Sequence, residues 1–414
     1  MNAGAAWLIA GMLAVAATPA NAQGAPAGDA SMTFHLRSYY FDRQNPDAAN
    51  NKATAIGGWV GLDSGWLLDR RVRFGAVGYT SQKIAGPQDE DGSLLLKPNQ
   101  KSFGGLGELY ARVRLWEGAE FTGYRQKVVQ PEVNLQDNRM APNTFEGYTL
   151  SGKAGDLEYY GGYLDKMKAR NATGFEDFAR ILKAPANVDA GMWLGGLRYA
   201  PSKDLLLRLS AYHVPDLLNS AYADVSWLAP LPGEVKLRLG GQYMYQWSAG
   251  DNALTGAFFK TSVGGLKADL SRGGAMLTGA YTQAARGANY QAPFGDWAGY
   301  TYGVVTSFNR ANENAFMIQG SYDFSANRLP GLVLTGHGTF GHNAINPATG
   351  AAVSDKTEYN VTVDYRFKTG NWPDWIKPLW LRARATRVNA DLSGDTSVTK
   401  DYRFIVNYEQ VLNF

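Results

Sequence analysis

Apolar and polar residues alternate with a period of two along most of the chain beyond residue 31. The last segment is the clearest: Phe404, Val406 and Tyr408 form one face, while Arg403 and Asn407 form the other. This period belongs to β-strands whose two faces meet different surroundings. Similar segments of about ten residues recur between Gly, Asn, Asp and Pro clusters. The pattern therefore predicts an all-β protein.

The chemistry of the two faces separates a membrane barrel from a soluble β-sandwich. Near residue 360, one face is apolar and aromatic and the other is charged: Tyr359, Val361, Val363 and Tyr365 against Glu358, Asp364, Arg366 and Lys368. A dry sandwich core would have to desolvate these charges, whereas a water-filled lumen keeps them hydrated. The apolar faces tend to end in Tyr, Trp or Phe, as at a membrane–water boundary. We therefore predict a transmembrane antiparallel β-barrel.

The connections between the predicted strands have two different lengths. Short links at 200–204 and 231–234 contrast with long polar stretches at 84–101 and 130–145. Outer-membrane barrels show this asymmetry between periplasmic turns and external loops. At about ten residues per strand, residues 31–414 hold on the order of 16 to 18 strands in one domain. Phe414, at the end of an aromatic strand, fits a terminal assembly signal of such barrels.

The N-terminus predicts export. An apolar run at 5–17 precedes the small residues Ala20, Asn21 and Ala22, which predicts a signal peptide over 1–22 and a short linker over 23–30. The first four residues contain no Lys or Arg. A misassigned start codon explains this absence, and the alternative is an apolar lead-in to a soluble protein. An exported barrel is expected in the outer membrane.

Composition narrows the possible functions. The 40 Lys and Arg nearly balance the 37 Asp and Glu, so no bulk charge indicates a nucleic-acid partner. The absence of Cys excludes thiol catalysis, and the four His have no metal-ligand spacing. No phosphate-binding glycine loop and no Gly-x-Ser-x-Gly nucleophile motif is present. We therefore predict no cofactor, no metal site and no enzymatic activity.

Several segments resemble the OprD family of outer-membrane porins. They are GWVGLDSGWL at 58–67, LGELYA at 106–111 and DNRMAPNTFEGY at 137–148, followed by 159–163 and 166–168. The resemblance extends from about residue 34 to residue 414 and implies a monomeric 18-stranded barrel in outer-membrane lipid and lipopolysaccharide. It also implies that the third and seventh external loops fold inward to narrow the pore. A ladder of basic residues on the wall would guide solutes bearing a carboxylate.

The alternation selects the arginines that point into the lumen. Because Leu381 and Ala383 are assigned to the outer face, Arg382 and Arg384 point inward, about 7 Å apart. The same reasoning places Arg37, Arg366 and Arg403 inside. By the resemblance Arg37, Arg382, Arg384 and Arg403 belong to the ladder, Arg139 to the third loop, and Asp296, as the acidic residue of the constriction, to the seventh; Arg366 is a pore-lining candidate from its polar position. The alternative role for any of these arginines is to pair with a carboxylate and brace the wall.

These observations predict passive, selective diffusion of small organic or aromatic acids through an arginine-lined pore. Family members take up basic amino acids and peptides, or small aromatic and aliphatic acids, so an uptake channel for basic or zwitterionic amino acids and short peptides is the first alternative. An outer-membrane hydrolase and a plugged, structural barrel are further alternatives.

Overall fold

The computed structural model describes residues 30–46, 48–229, 231–392 and 394–414. Within these ranges, eighteen long antiparallel strands form one sheet. They are β1 Ser31–Gln44, β2 Asn51–Asp63, β3 Val72–Ala85, β4 Phe103–Trp116, β5 Ala119–Gln126, β6 Thr144–Ala154, β7 Leu157–Lys168, β8 Met192–Tyr199, β9 Leu205–Val214, β10 Leu218–Ala229, β11 Lys236–Ser248, β12 Lys260–Arg272, β13 Ala275–Ala284, β14 Asn314–Asp323, β15 Leu332–His342, β16 Asp355–Arg366, β17 Leu379–Leu392 and β18 Asp395–Asn413.

The sheet closes on itself. Each long strand pairs with the next, and β1 pairs with β18 from Ser31–Asn413 to Gln44–Lys400. Closure satisfies the backbone groups of both edge strands, as a membrane interior requires. The prediction of an 18-stranded antiparallel barrel is confirmed.

The two faces of the wall follow the predicted alternation. On β18, Tyr402 and Phe404 are 42% and 47% exposed on the outside, whereas Asp401 and Arg403 are buried inside. On β16, Tyr359 likewise lies outside. The apolar and aromatic positions therefore form the outer surface of the barrel, and the charged positions form its lining.

The four longest connections between the described strands lie at the same end of the barrel. Tight turns join β4 to β5, β6 to β7 and β12 to β13. At the other end, long connections span 86–102 (loop L2), 127–143 (loop L3), 169–191 (loop L4) and 285–313 (loop L7). The predicted stretch 130–145 ends two residues later than L3 does. Thr144 already belongs to β6 and pairs with Lys168 of β7.

The small helical elements lie in the connections. The 3-10 turns are Gln88–Glu90, Pro98–Gln100, Phe324–Asn327 and Phe367–Thr369. L4 contains the two-residue strand Glu176–Asp177 and the helix α1, Phe178–Ile181. Nowhere in the described ranges is a helix long and apolar enough to cross a membrane.

The hydrophobic core lies inside the barrel, where the loops pack on the wall. One buried cluster joins Val133 of L3, Phe178 of L4 and Phe294 of L7. A second joins Phe41 of β1 with Leu95 of L2 and further side chains. The long loops are therefore folded into the lumen, which sets the geometry of the pore. The predicted signal peptide, residues 1–22, lies outside the described residues.

Candidate functional site

Loop L3 crosses the lumen from one wall to the other. Its Glu132 contacts Ser220 on β10, and its Asp137 contacts Arg37 on β1. Because β1 and β10 are nine strands apart in a ring of eighteen described strands, they lie on opposite walls. L3 therefore divides the cross-section of the barrel and narrows the path through it.

The contact at β10 is a buried carboxylate held by two hydroxyl groups. Ser220 Oγ donates to Glu132 Oε1 and Oε2 at 2.9 and 3.0 Å, and Tyr290 Oη of L7 donates to Oε1 at 2.5 Å. None of the ion pairs in the described ranges involves Glu132. Burial raises the pKa of Glu132 to about 7, although both hydroxyl donors act in the opposite direction. This contact joins L3, L7 and the wall without a cation.

The contact at β1 is a buried ion pair. Arg37 Nη1 donates to Asp137 Oδ1 at 2.7 Å, and Arg37 Nε donates to Asn407 Oδ1 of β18 at 2.7 Å. Nη1 also donates to the backbone oxygen of Arg139. Burial opposes ionisation of Asp137, but the charge and hydrogen bonds of Arg37 hold the pKa of Asp137 below its usual value. In this structure Arg37 lies on the lumen side, as predicted, and fastens L3 to the wall.

Loops L3 and L7 meet in the lumen. The backbone N–H of Asn134 donates to the carbonyl oxygen of Phe294 at 3.1 Å. Asn138 Nδ2 donates to Asp296 Oδ1 at 3.1 Å, and Asp296 N–H donates to Asn134 Oδ1 at 3.0 Å. Burial raises the pKa of Asp296, and the nearby charge of Arg170 in L4 acts against that rise. Asp296 therefore lies where L3, L4 and L7 come together.

The C-terminal half of L7 is fixed to the opposite part of the wall. Glu358 of β16 is fully buried and accepts hydrogen bonds from the backbone N–H groups of Val304, Val305 and Thr306. Arg403 Nη2 of β18 donates to the carbonyl oxygen of Val304 at 3.2 Å. L7 therefore extends from Tyr290, beside β10, to the wall formed by β16 and β18.

Two of the predicted arginines are paired with carboxylates on the wall. Arg382 donates to Asp364 through Nε at 2.7 Å and Nη2 at 3.0 Å. Arg403 donates to Asp401 through Nε at 2.6 Å and Nη2 at 3.1 Å. Such two-point contacts fix the orientation of each guanidinium group.

Arg384 has a different environment. It lies directly opposite Arg403 in the β17–β18 ladder, and its Nε donates to Thr362 Oγ1 at 3.0 Å. No ion pair of the described residues includes Arg384. Two guanidinium groups thus project side by side, and one of them has no carboxylate partner.

Arg139 reaches the same region from L3. Its Nε donates to the carbonyl oxygen of Ser93 in L2 at 2.8 Å, and its guanidinium carbon lies 5.1 Å from the centre of the Phe41 ring. Burial, followed by the charge of Arg403, lowers the pKa of Arg139 to about 9. The surroundings therefore disfavour the positive charge of Arg139. An anion bound nearby would stabilise that charge.

Arg366 is separate from this group. It lies at the last position of β16, at the end with short turns, and is exposed. The guanidinium carbon of Arg366 lies 4.5 Å from the centre of the Trp380 ring. The guanidinium carbon of Arg382 lies 4.8 Å from the centre of the same ring. The structure therefore brings Arg37, Arg139, Arg384, Arg403 and Asp296 to the region where the loops meet the wall. Arg382 and Arg366 lie together around Trp380, toward the mouth of the barrel that is far from L3 and L7.

Some residues of the site were not predicted. Arg43 of β1 donates to Asp401 Oδ2 through Nε at 2.9 Å. It follows the same two-residue alternation that selected Arg37, so the sequence pattern was sufficient to predict its inward position. Arg170 donates to Asn138 Oδ1 from L4, where no periodic pattern indicates direction. In the described ranges, no group of His, Asp and Glu side chains is placed to hold a metal ion.

Comparison with known proteins gives the family and the fold. The sequence matches the outer-membrane porin family OprD over residues 27–412. No curated protein matches it significantly. Among solved structures it is similar to OccK9 (OpdG) of Pseudomonas aeruginosa, with a TM-score of 0.82, 21% identity and coverage of 93% of this chain and 99% of that one.

Two further solved structures are similar. OpdK of Pseudomonas aeruginosa, determined with vanillate, has a TM-score of 0.79, 19% identity and coverage of 92% and 99%. A BenF-like porin from Pseudomonas fluorescens Pf-5 has a TM-score of 0.80, 22% identity and coverage of 93% and 98%. At these identities the structures support the fold, and the sequence match over most of the chain gives the family. The protein is a member of the OprD family of outer-membrane porins.

Proposed function

We propose that this porin is a passive channel selective for small solutes that bear a carboxylate, with organic and aromatic acids as its substrates. The observation that carries the proposal is the excess of guanidinium groups where L3 and L7 meet the wall. Arg384, Arg139 and Arg170 take part in none of the ion pairs between described residues. Asp296 lies at the same junction and, like these arginines, takes part in none of those ion pairs.

The physical basis is electrostatic. A narrow, partly dehydrated passage strengthens the attraction between a guanidinium group and a carboxylate. Arginine stays charged and offers a forked set of donors that matches the two carboxylate oxygens. Arg382 and Arg403 are already bound to Asp364 and Asp401, so they shape the wall, while Arg384 and Arg139 provide charge that no carboxylate pairs with. Arg37 holds L3 in place, and Arg366 would receive the solute at the far mouth.

The remaining parts of the proposal follow from a channel of this kind. It needs no cofactor, metal or energy source, and no catalytic step. We propose that the protein works as a monomer whose outer surface contacts outer-membrane lipid and lipopolysaccharide. The determination of the similar OpdK structure with vanillate, an aromatic carboxylate, supports the choice of solute class.

Asp296 favours a second candidate function. It has no ion pair among the described residues, so its carboxylate can accept an ammonium group while arginine holds a carboxylate. This arrangement suits zwitterionic or basic amino acids and short peptides.

Planar-bilayer recording of the refolded protein tests both proposals. We expect benzoate added to one side to produce brief blocks of the open current, and Arg384→Ala to weaken that block about tenfold, as for the loss of a charge-assisted contact. Arg272→Ala is the matched control because this exposed residue on β12 lies away from the junction. Block by arginine and not by benzoate, lost in Asp296→Asn, would favour the second candidate. A channel whose block by benzoate is the same with and without Arg384 contradicts the carboxylate proposal.

A further inference from the structure

Three guanidinium groups surround one buried phenyl ring. The guanidinium carbons of Arg403, Arg139 and Arg43 lie 5.0, 5.1 and 5.3 Å from the centre of the Phe41 ring. These arginines come from β18, L3 and β1. They are far apart in sequence, so only the fold brings them to this ring.

The backbone explains why Phe41 is at the centre. Phe41 and Arg403 are directly paired across the β1–β18 seam, and Arg43 and Asp401 are the next inward pair. Arg139 arrives from the lumen with L3. Phe41 therefore occupies the point where the barrel seam and the constricting loop meet.

The ring is held firmly. Phe41 is 1% exposed and belongs to the buried cluster formed with Tyr39, Leu95, Leu96 and Met140. Residues of L2, L3 and the wall thus fix the ring. A fixed ring presents its negative faces in constant directions, and cations are attracted to those faces.

The charges around the ring do not cancel. Asp401 accepts from Arg403 Nε at 2.6 Å and from Arg43 Nε at 2.9 Å, so one carboxylate serves two arginines. Arg139 has no carboxylate within ion-pair distance among the described residues, and its guanidinium is held by the carbonyl oxygens of Ser93 and Asn138. Three like charges so close together repel one another. Asp296 of L7 is close enough to interact electrostatically with Arg139, and Asp137, which binds Arg37, lies two residues before Arg139 on L3.

We propose that Phe41 is a positioning residue for selectivity: its ring keeps Arg43, Arg139 and Arg403 together as a cluster with three positive charges and one carboxylate, Asp401, in which a carboxylate-bearing solute is the missing anion. This inference rests on the proposed function. Without the ring, Arg139 is free to turn toward Asp137 or Asp296, which removes free positive charge from the passage. Phe41 itself does not contact the solute.

The test compares Phe41→Leu with Phe103→Leu in planar bilayers. Phe103 is also buried, at the start of β4, and none of the cation–ring contacts between described residues involves it. Phe41→Met is a second variant without a ring, and Phe41→Tyr is the conservative rescue. Circular dichroism and electrophoretic mobility before and after boiling establish that each barrel has folded.

The readouts are the reversal potential in a potassium chloride gradient and the concentration of benzoate that blocks half of the current. We expect Phe41→Leu and Phe41→Met to lower the anion-to-cation permeability ratio about threefold and to weaken benzoate block by a similar factor. Phe41→Tyr and Phe103→Leu should retain the wild-type values. Equal values in Phe41→Leu and Phe103→Leu would overturn the inference. A wild-type channel without anion preference or benzoate block would instead refute the proposed function, so the two failures are distinguishable.

Discussion

The contact between Glu132, Tyr290 and Ser220 predicts that the pore loops loosen as the pH rises. Glu132 is 7% exposed, and the titratable groups that face its carboxylate are the phenols of Tyr290 on L7 and Tyr212 on β9. No basic residue of the described ranges pairs with it. Burial therefore favours the protonated form, which has one O–H donor and remains bound to the two hydroxyl groups.

The size of the effect follows from linkage. Burial raises the pKa of Glu132 from 4.5 to about 7 in the closed arrangement. A loop that swings into water returns the carboxyl to its ordinary pKa. The difference corresponds to roughly 3 kcal/mol between the two arrangements. Because the closed-state pKa is the higher one, this stabilisation is fully present below about pH 4.5. It declines as the pH rises through about 7 and stays low above that value.

Single-channel recording between pH 5 and pH 9 measures how the opening of the pore loops depends on pH. We expect few current fluctuations at pH 5.5 and frequent ones, with a higher mean conductance, at pH 8.5. Glu132→Gln should remain quiet throughout, because an amide is neutral and still accepts both hydrogen bonds. Asp89→Asn is the matched control, since Asp89 is exposed in L2. A wild-type channel with the same noise at both pH values, or a Glu132→Gln channel that follows the wild type, refutes the reasoning.

Two other predictions concern the fastening of L3 and the outer surface of the barrel. Asp137→Asn leaves the Arg37 guanidinium buried without its carboxylate, which destabilises the β1 contact of L3 by about 3 kcal/mol. Single-channel conductance should increase and become noisy. An unchanged, quiet conductance contradicts the role of this ion pair in holding L3. Val361→Arg places a charge in the middle of β16 on the outer face, where Val361 is 51% exposed. Unfolding by urea in lipid vesicles should show a free energy of unfolding about 2–4 kcal/mol lower than that of Val361→Leu. A difference below about 1 kcal/mol would argue against a lipid-facing position.

The strands, and the face on which each of their side chains lies, were predictable because apolar and polar residues alternate with a period of two in the sequence. Leu381, Arg382, Ala383 and Arg384 illustrate this: one period assigns all four side chains to a face. The partners on the facing strand were harder to predict. Asp364 and Asp401 are also on inward positions, but their pairing with Arg382 and Arg403 depends on the register between strands.

The loops were not predictable in the same way. Glu132, Tyr290 and Ser220 are brought together by the path of L3 and L7 through the lumen, and no local period describes that path. Arg139 and Asp296 were identified through the family resemblance, which carries loop positions that physical patterns alone do not. Arg366 had the correct facing, but its distance from the loops depends on its height in the barrel, which alternation does not give.

The seam between β1 and β18 has a consequence for assembly. Asp401, Arg403 and Asn407 lie on β18, yet they bind Arg43, pair opposite Phe41 and accept from Arg37 on β1, more than 300 residues earlier in the sequence. The positive cluster and the wall-side support of L3 are therefore completed only when the two ends of the chain pair. A partly inserted sheet that has not yet closed lacks the contacts of Asp401 with Arg43 and of Asn407 with Arg37. The site that we propose for solute selection is therefore complete only after the final strand pairing, the same step that closes the barrel.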